Sequence, residues 1–334
     1  MSTAVILINL GTPADPTPAS VRRFLREFLS DSRVVEIPGP IWLPILHGFI
    51  LPFRARRIAP EYAGIWNRGA DGEPVEGSPL LYYTRRQAEM LQLQLAATRG
   101  DITVAHAVTY GEPGLASVVD RLRSDGCESF LLLPMYPQYS GTTTGAIYDQ
   151  VARIFCENRD VPDIQLVHDY YRHPLYIRAL ADSVREHWKE HGKAEKLLLS
   201  FHGIPKANVS KGDPYERQCG ETAVQLAAEL GLTEGEWTLS YQSRFGKAEW
   251  LQPYTDKTLV EWGRQKLASV DVICPAFSAD CLETLMEISE ENRAKFVEAG
   301  GGEYRYIPAL NARPDHIRAL AAIVQERFPS SSGG

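Results

Sequence analysis

Short apolar segments alternate with amphipathic stretches along the chain. The apolar runs predict strands at 4–9, 102–108, 129–134, 164–168, 196–201, 238–242 and 271–275. Apolar residues recurring every three or four positions predict helices at 17–29, 82–96, 144–157, 174–190, 214–230, 255–266, 282–298 and 314–327. This alternation is typical of an α/β fold with parallel sheets covered by helices on both faces.

Two short patterns occur in the same order in each half of the chain. The strand VILINL leads into GTP at 11–13, and LLLSFH leads into GIP at 203–205. Further along, LLLPMYP at 131–137 is similar to VICPAFS at 272–278. We therefore expect two similar, doubly wound, Rossmann-like domains with an active cleft between them. The predicted divisions are a first domain at 1–145, a second at 146–310 and a C-terminal helix at 311–334 that packs back on the first.

The segment 37–53 departs from this alternation. It reads IPGPIWLPILHGFILPF, and Arg54, Arg56 and Arg57 follow it. A transmembrane helix needs roughly 20 apolar residues, so this run is too short, and its prolines remove helical hydrogen bonds. Two interpretations fit the segment. One is a buried core connection, and the other is an exposed apolar lip that contacts a membrane surface or an apolar ligand.

Charge and cysteine content exclude several classes of protein. A net charge of −7 over 334 residues provides no basic field for nucleic acid. The five cysteines contain no CxxC pair, so we expect neither a disulfide framework nor a structural zinc site of the usual spacing. The first residues have no basic region and no cleavage site, so we interpret them as a strand and expect a cytoplasmic protein.

His202 is the most suggestive histidine. It ends a predicted strand, and Gly203 and Pro205 turn the chain directly after it. A histidine held there would point into a cleft, and its ordinary pKa of roughly 6.5 suits a general base or a metal ligand. The alternative is a capping or core histidine that makes one hydrogen bond.

A row of acids follows the last predicted strand. On a helix these residues would share one face: Asp280, Glu283, Glu287 and Glu290 or Glu291. A solvated acidic face is the common alternative. Here, however, the row begins at the carboxyl end of a strand, where such sheets bind ligands. Its oxygen ligands are suited to pass a divalent cation inward.

The loop YPQYSGTTTG at 136–145 follows a strand and opens a helix. Its hydroxyl and backbone N–H groups are suited to receive a carboxylate or a phosphate. The loop has no GK[ST] element, and the GTP at 11–13 falls short of GxGxxG. Nucleotide binding therefore has little support.

The chain resembles the ferrochelatase family along nearly its whole length, in the form found in Gram-negative bacteria. Many long blocks occur in the family's order, which makes the resemblance specific. The blocks are LINLGTP (7–13), FLSDSRVVEIP (28–38), EGSPL (76–80), LPMYPQYSGTTTG (133–145), LLLSFHGIP (197–205), KGDPY (211–215), YQSRFGKAEWLQPYT (241–255), FSADCLETLMEI (277–288) and YIPALN (306–311).

The resemblance implies a chelatase-like fold that holds a porphyrin in its cleft. His202 and Glu283 are implied on one side of the macrocycle as catalytic residues and metal ligands. Leu10 and the 37–53 lip are implied on the other side. The residues implied near the ring edge or its propionates are Ser78, Tyr139, Ser140 and Thr142.

The activity implied is insertion of Fe²⁺ into protoporphyrin IX to form protohaem, the last step of haem biosynthesis. The macrocycle would be distorted and two pyrrole protons removed. We expect Asp280 and Glu287 to form an outer path for the metal. Cys281 stands where animal members have histidine, and Thr109 where they have arginine, so those two roles do not carry over.

Fe²⁺ is expected as a substrate, with no permanently bound cofactor. The chain ends without the cysteine-bearing extension that binds an iron–sulfur cluster in some relatives, so we expect no cluster. Leu10 favours protoporphyrin, because coproporphyrin-using relatives tend to have tyrosine there. The alternatives are a non-catalytic tetrapyrrole or haem carrier, a metallochaperone, and a chelatase that acts on coproporphyrin. Peripheral membrane contact would use the 37–53 lip, and the sequence indicates no particular oligomeric state.

Overall fold

Two parallel four-stranded sheets organise the chain, one in each of two units. The computed structural model describes residues 2–70, 72–156 and 158–328. The first unit runs to Asp169 and resumes at Ala312, and the second unit is Tyr170–Asn311.

The sheet of the first unit has the strand order β2-β1-β3-β4. Its strands are β1 (Ser2–Asn9), β2 (Ile102–Val108), β3 (Cys127–Pro134) and β4 (Asp163–Leu166). The central strand β1 is completely buried from Ala4 to Ile8, as expected for a parallel strand covered on both faces. The helical segments up to β4 are α1 (Pro18–Ser30), α2 (Gly39–Ile45), a π-helix (Leu46–Ile50), α3 (Leu51–Ile65), α4 (Pro79–Ala96), α5 (Leu115–Ser124) and α6 (Thr144–Phe155).

The sheet of the second unit has the order β6-β5-β7-β8, which repeats the topology of the first. Its strands are β5 (Lys196–His202), β6 (Trp237–Gln242), β7 (Ser269–Ile273) and β8 (Glu303–Ile307). The helical segments are α7 (Pro174–His191), α8 (Lys206–Ser210), α9 (Tyr215–Leu230), α10 (Thr255–Arg264), a π-helix (Glu283–Asn292) and α11 (Arg293–Glu298). The prediction of two similar α/β domains with parallel sheets is therefore confirmed.

The division between the units lies at Asp169, later than the predicted boundary at 145. Strand β4 pairs with β3, from Ser129 to Leu132, so it belongs to the first sheet together with the helix α6 that leads to it. The last helix, α12 (Pro314–Arg327), contacts α4 of the first unit. Apolar periodicity identifies a strand but does not say which sheet it joins, which explains the misplaced boundary.

The segment 37–53 is helical from Gly39 onward. Pro40 lies in the first turn of α2, where a missing N–H would have had no helical acceptor. Pro44 lies inside α2, and the chain changes to the wider π-helical turn directly after it. Pro52 lies in the first turn of α3. The prolines thus sit where the chain changes helical form.

This helical segment has one buried and one exposed side. The Trp42 indole N–H donates to the carbonyl of Leu29 in α1 at 2.6 Å, and Leu46 is completely buried. Large apolar side chains on the other side face solvent. They are Ile37, Ile41, Leu43, Ile45, Phe49 and Phe53, of which Phe49 is 67% and Phe53 73% exposed. The structure therefore has an exposed apolar lip anchored on α1.

The predicted helix 282–298 divides into two forms. Residues Glu283–Asn292 form a π-helix, and α11 continues from it to Glu298. A π-helix closes its hydrogen bonds over five residues, so acids four positions apart are not stacked as in an α-helix. The strand β8 and the helices α2, α3, α5 and α8 were not predicted. β8 lies at the edge of its sheet and carries the polar residues Glu303 and Arg305, which interrupt the apolar pattern.

A buried charge cluster joins β7, β8 and α7 in the second unit. Asp271 of β7 is completely buried and accepts hydrogen bonds from Arg305 Nε at 2.7 Å and Trp188 Nε1 at 2.8 Å. His187 Nε2 lies 3.4 Å from the same carboxylate. Burial raises the pKa of Asp271, but the hydrogen bonds from His187 and Arg305 outweigh it and keep the pKa below its ordinary value. The ionised carboxylate therefore stabilises the fold.

We predict that Asp271→Asn lowers the free energy of unfolding by about 3–5 kcal/mol, because it removes the buried negative charge that pairs with Arg305 at 2.7 Å. Asp182→Asn is the matched control, since Asp182 pairs with Arg185 on the exposed surface of α7. It should cost less than about 1 kcal/mol. Urea denaturation of both variants measures the difference, and equal losses would contradict a structural role for the buried cluster.

Candidate active site

His202 occupies the carboxyl end of the central strand β5 and is half-buried. Its Nδ1 lies 2.7 Å from the carbonyl oxygen of Gly203. A carbonyl can only accept, so Nδ1 carries the proton and Nε2 presents its lone pair when the ring is neutral. This backbone contact fixes both the ring and the tautomer. Nε2 is therefore the nitrogen able to take up a proton or a metal ion.

The turn after His202 leaves little room for a side chain at Gly203. The Gly203 N–H donates to the carbonyl of Gln242 at 2.9 Å, which draws the two chain segments together. A Cβ at this position would lie 3.0 Å from that carbonyl oxygen and 3.1 Å from the ring of Trp250. A Cβ would therefore require this carbonyl or the Trp250 ring to move by a few tenths of an ångström, so glycine permits the close approach of the chain after His202 to Gln242.

Aromatic rings flank the imidazole. The ring centres of Trp250 and Phe277 lie 6.3 Å and 6.4 Å from that of His202. Trp250 is buried and Phe277 is half-buried. The imidazole therefore projects into largely apolar surroundings, which suit a flat hydrophobic ligand.

Glu283 begins the π-helix of the second unit and is half-buried. Its backbone carbonyl accepts a hydrogen bond from Gln242 Nε2 at 3.2 Å. Burial raises the pKa of the neighbouring Cys281 thiol, and the charge of Glu283 raises it further. Cys281 is accordingly a neutral buried thiol, which agrees with excluding it from metal delivery.

Glu287 lies further along the same π-helix, and the charges of both His202 and Glu283 act on it. Burial raises the pKa of Glu287, hydrogen bonds from Ser243 and the charge of His202 lower it, and the charge of Glu283 raises it. The net direction is upward. His202 and Glu283 are therefore both close enough to Glu287 to affect its pKa, although His202 lies at a strand end far from the π-helix in sequence.

Asp280 does not belong to this acidic row. It is completely buried, and donors from the interior of the second unit occupy both of its carboxylate oxygens. Tyr306 Oη and Thr284 Oγ1 donate to Oδ1 at 2.6 Å and 2.8 Å. Asn311 Nδ2 donates to Oδ2 at 2.7 Å. We therefore assign Asp280 a structural role and withdraw it from the expected metal path.

The remaining acids of the row, Glu290 and Glu291, are exposed. In the described part of the chain, no three histidine, cysteine, aspartate or glutamate side chains form a ready-made metal-binding group. Among the residues described, His202, Glu283 and Glu287 are therefore not a preformed metal centre.

Leu10 and Ser78 are positioned by one loop of the first unit. Leu10 follows the central strand β1 and is half-buried. Gly11 has a φ of 109°, and a Cβ there would lie 1.8 Å from the carbonyl oxygen of Tyr110. Thr12 Oγ1 donates to the buried Ser78 Oγ at 2.9 Å, which joins this loop to the start of α4.

The loop before α6 holds the other residues implied by the resemblance. Ser140 is buried, and its Oγ lies 3.0 Å from Thr142 Oγ1 and accepts the Thr142 N–H at 3.2 Å. The Tyr139 ring stacks on His168, with centres 4.1 Å apart and planes 4° from parallel. The contacts between Ser140 and Thr142 therefore help to hold this loop in shape.

The residue motifs did not single out several neighbours of His202. Gln242 ends strand β6 beside His202 and Ser243 follows it, while Trp250 and Phe277 supply the aromatic surroundings. The rule that ligands bind at carboxyl ends of parallel strands applies equally to β6 and would have selected Gln242 and Ser243.

Solved structures with a similar fold are chelatases. The structure of SirB from Bacillus subtilis with Fe³⁺ matches with a TM-score of 0.56 at 12% sequence identity, covering 98% of this chain and 95% of that one. CbiX, described as the terminal enzyme for biosynthesis of sirohaem in denitrifying bacteria, matches with a TM-score of 0.51 at 12% identity, covering 97% and 98%. The fold is that of the chelatases.

Sequence comparison then identifies the family. The family model described as Ferrochelatase matches residues 2–328. A ferrochelatase of Psychrobacter cryohalolentis is 52% identical over 322 residues, covering 96% of this chain and 93% of the relative. A ferrochelatase of Thioalkalivibrio sulfidiphilus is 52% identical over 321 residues, covering 96% and 85%. The chain belongs to the ferrochelatase family, and these Gram-negative relatives agree with the resemblance seen in its motifs.

We predict that Asp280→Asn destabilises the second unit by about 1–3 kcal/mol, because its amide would set a donor against the donors that face Asp280. Asn311 cannot turn its oxygen towards that amide without losing the bond that its Oδ1 accepts from the Asp280 N–H at 2.8 Å. Urea denaturation measures the effect. An unchanged unfolding midpoint would contradict the structural role of Asp280 and would again make it a candidate for metal transfer.

Proposed function

We propose that the chain inserts Fe²⁺ into protoporphyrin IX to form protohaem, the terminal step of haem biosynthesis. Family membership over nearly the whole chain and relatives named ferrochelatase support this activity. The observation that carries it is the imidazole of His202, whose Nδ1 contact with the Gly203 carbonyl leaves the Nε2 lone pair available and whose charge lowers the pKa of the half-buried Glu287.

The chemistry requires a base and a metal ligand in one place. A free porphyrin keeps two pyrrole N–H protons and holds its nitrogen lone pairs in the ring plane. Insertion therefore needs a distorted ring, removal of both protons and loss of water from Fe²⁺. A site that binds the distorted ring better than the flat one lowers the barrier. A planar product would then fit less well and leave.

His202 and Glu283 are assigned the central roles. Nε2 of His202 accepts pyrrole protons or binds the arriving metal ion, and both actions need the lone pair that the Gly203 contact preserves. Glu283 shares the proton or provides an oxygen ligand. Glu287, between these groups and the exposed acids of the same helix, receives the metal ion first.

Binding of the macrocycle is assigned to the first unit. Leu10 offers an apolar contact and leaves no hydroxyl at its position, which favours protoporphyrin over the more polar coproporphyrin. The other residues assigned to the ring edge or propionates are Ser78, Tyr139, Ser140 and Thr142. A haem carrier would need neither the base nor the carboxylates, so the site does not favour that alternative.

We further propose that no cofactor is permanently bound and that the chain holds no iron–sulfur cluster. Such a cluster takes four cysteine ligands. Four of the five cysteines are buried, and Cys156 alone is exposed. Iron is then only a substrate. The cytoplasmic location expected from the sequence stays a prediction.

The lip formed by residues 37–53 is proposed to rest on a membrane surface. Its exposed side carries Phe49 and Phe53, and Arg54, Arg56 and Arg57 follow close by to meet anionic headgroups. Among the residues described, no helix has the length and hydropathy needed to cross a bilayer. Contact through one apolar side would suit collection of a poorly soluble porphyrin.

We predict that His202→Ala lowers turnover at least about 100-fold, the range expected when a general base is lost. Glu283→Gln should be severely impaired as well. Purified protein is mixed with protoporphyrin IX and anaerobic Fe²⁺, or Zn²⁺ as a surrogate, and the visible spectrum is followed for many turnovers. His191→Ala, at an exposed histidine on α7, is the control. Substantial activity in His202→Ala would refute its role, and a spectral change limited to one equivalent would indicate a carrier.

We predict that the double substitution Phe49→Ser and Phe53→Ser reduces binding to anionic phospholipid vesicles by more than about tenfold, because each buried phenylalanine contributes about 1.5–3 kcal/mol. Leu93→Ser is the matched control, since Leu93 is 68% exposed on α4 outside the lip. Vesicle co-sedimentation measures binding. If both proteins bind like the unmodified chain, the lip is not the membrane contact.

A further inference from the structure

The carboxyl end of β6 holds the π-helix that carries the two carboxylates. Gln242 pairs in register with His202 across the β5–β6 ladder and is buried. Its Oε1 accepts from Ser200 Oγ at 2.8 Å, and its Nε2 donates to the carbonyl of Glu283 at 3.2 Å. The sheet that fixes His202 thus also fixes the first residue of the π-helix.

Ser243, the next residue, holds the carboxylate of Glu287 by both of its donors. Its backbone N–H donates to Glu287 Oε1 at 2.7 Å, and its hydroxyl donates to Oε2. Each carboxylate oxygen therefore receives one hydrogen bond from the same residue. A carboxylate accepts about four hydrogen bonds or ligand contacts in all, so further lone pairs are left for a cation.

The backbone of Ser243 adopts a conformation that a serine rarely takes. Its φ is 65°, in the left-handed region that favours glycine. The Ser243 hydroxyl and the Ser243 N–H both donate to the Glu287 carboxylate. A glycine at this position would keep only the N–H bond. The unfavourable backbone is maintained by a contact that points at the candidate site.

We propose that Ser243 is a positioning residue that holds the Glu287 carboxylate in place to receive the metal ion and pass it to His202 and Glu283. The inference rests on the proposed function, and it concerns the metal substrate alone. Ser243 acts through Glu287 and has no assigned contact with the macrocycle. Its loss should therefore weaken the use of metal and leave the use of porphyrin unchanged.

Two substitutions separate the hydroxyl from the backbone. Ser243→Ala removes the hydroxyl and keeps the strained φ, whereas Ser243→Gly removes the hydroxyl and relieves the strain. A defect shared by both variants belongs to the hydroxyl. If Ser243→Ala fails to fold, Ser243→Gly provides the decision.

The matched control is Thr233→Ala. Thr233 makes the same kind of two-donor contact, its N–H and hydroxyl both reaching the Glu236 carboxylate at 2.7 Å and 2.6 Å. That contact lies in the exposed turn before β6, at the opposite end of the strand. The control therefore measures the effect of losing one hydroxyl-to-carboxylate hydrogen bond at a place remote from the candidate site.

Steady-state insertion is measured with Zn²⁺ and protoporphyrin IX, each varied at saturating concentrations of the other. We expect both Ser243 variants to raise the KM for Zn²⁺ about tenfold, the size of effect that a hydrogen bond to a charged group provides. The KM for protoporphyrin should change less than about twofold, because the substitutions remove no assigned contact with the macrocycle. Thr233→Ala should match the unmodified chain in both constants.

The outcomes separate the two proposals. In one outcome, the unmodified chain inserts metal while both Ser243 variants have the same KM values as that chain. This result would overturn the positioning role of Ser243 and leave the proposed function intact. Equal increases in both KM values would also overturn it, since they would indicate a general disturbance of the site. If the unmodified chain inserts no metal at all, the proposed function itself fails.

Discussion

The parallel pairing of β5 with β6 is the constraint on which the candidate site depends. It places His202 and Gln242 side by side at the carboxyl edge of the sheet, and Ser243 directly follows. From there, hydrogen bonds reach the Glu283 carbonyl and the Glu287 carboxylate. One edge of one sheet therefore fixes both the imidazole and the acidic helix. An imidazole and carboxylates held so rigidly need little rearrangement when a metal ion arrives.

Glu287 is half-buried in this site, and burial alone raises its pKa. Hydrogen bonds from Ser243 and the charge of His202 oppose that tendency at Glu287. Asp280 differs, because both of its carboxylate oxygens accept hydrogen bonds from side chains inside the second unit. Two acids of one short segment thus have different roles, set by their partners.

The sequence predicted the elements whose chemistry is local. Runs such as VILINL and LLLSFH became the central strands, and the repeated order of motifs anticipated two sheets of equal topology. His202 could be selected as a candidate because the strand, the glycine turn and the residue type all lie within a few positions. Family motifs extended the prediction to Glu283 and to the residues assigned to the macrocycle.

Features that depend on tertiary packing were not accessible in this way. The π-helical form of Glu283–Asn292, the burial of Asp280 and the left-handed backbone of Ser243 all arise from contacts between distant segments.

The most direct test of the central claim is anomalous diffraction from crystals soaked in Zn²⁺. A metal peak is expected within about 2.2 Å of His202 Nε2 and a Glu283 carboxylate oxygen, the usual zinc–ligand distance. A peak remote from both side chains would contradict the account.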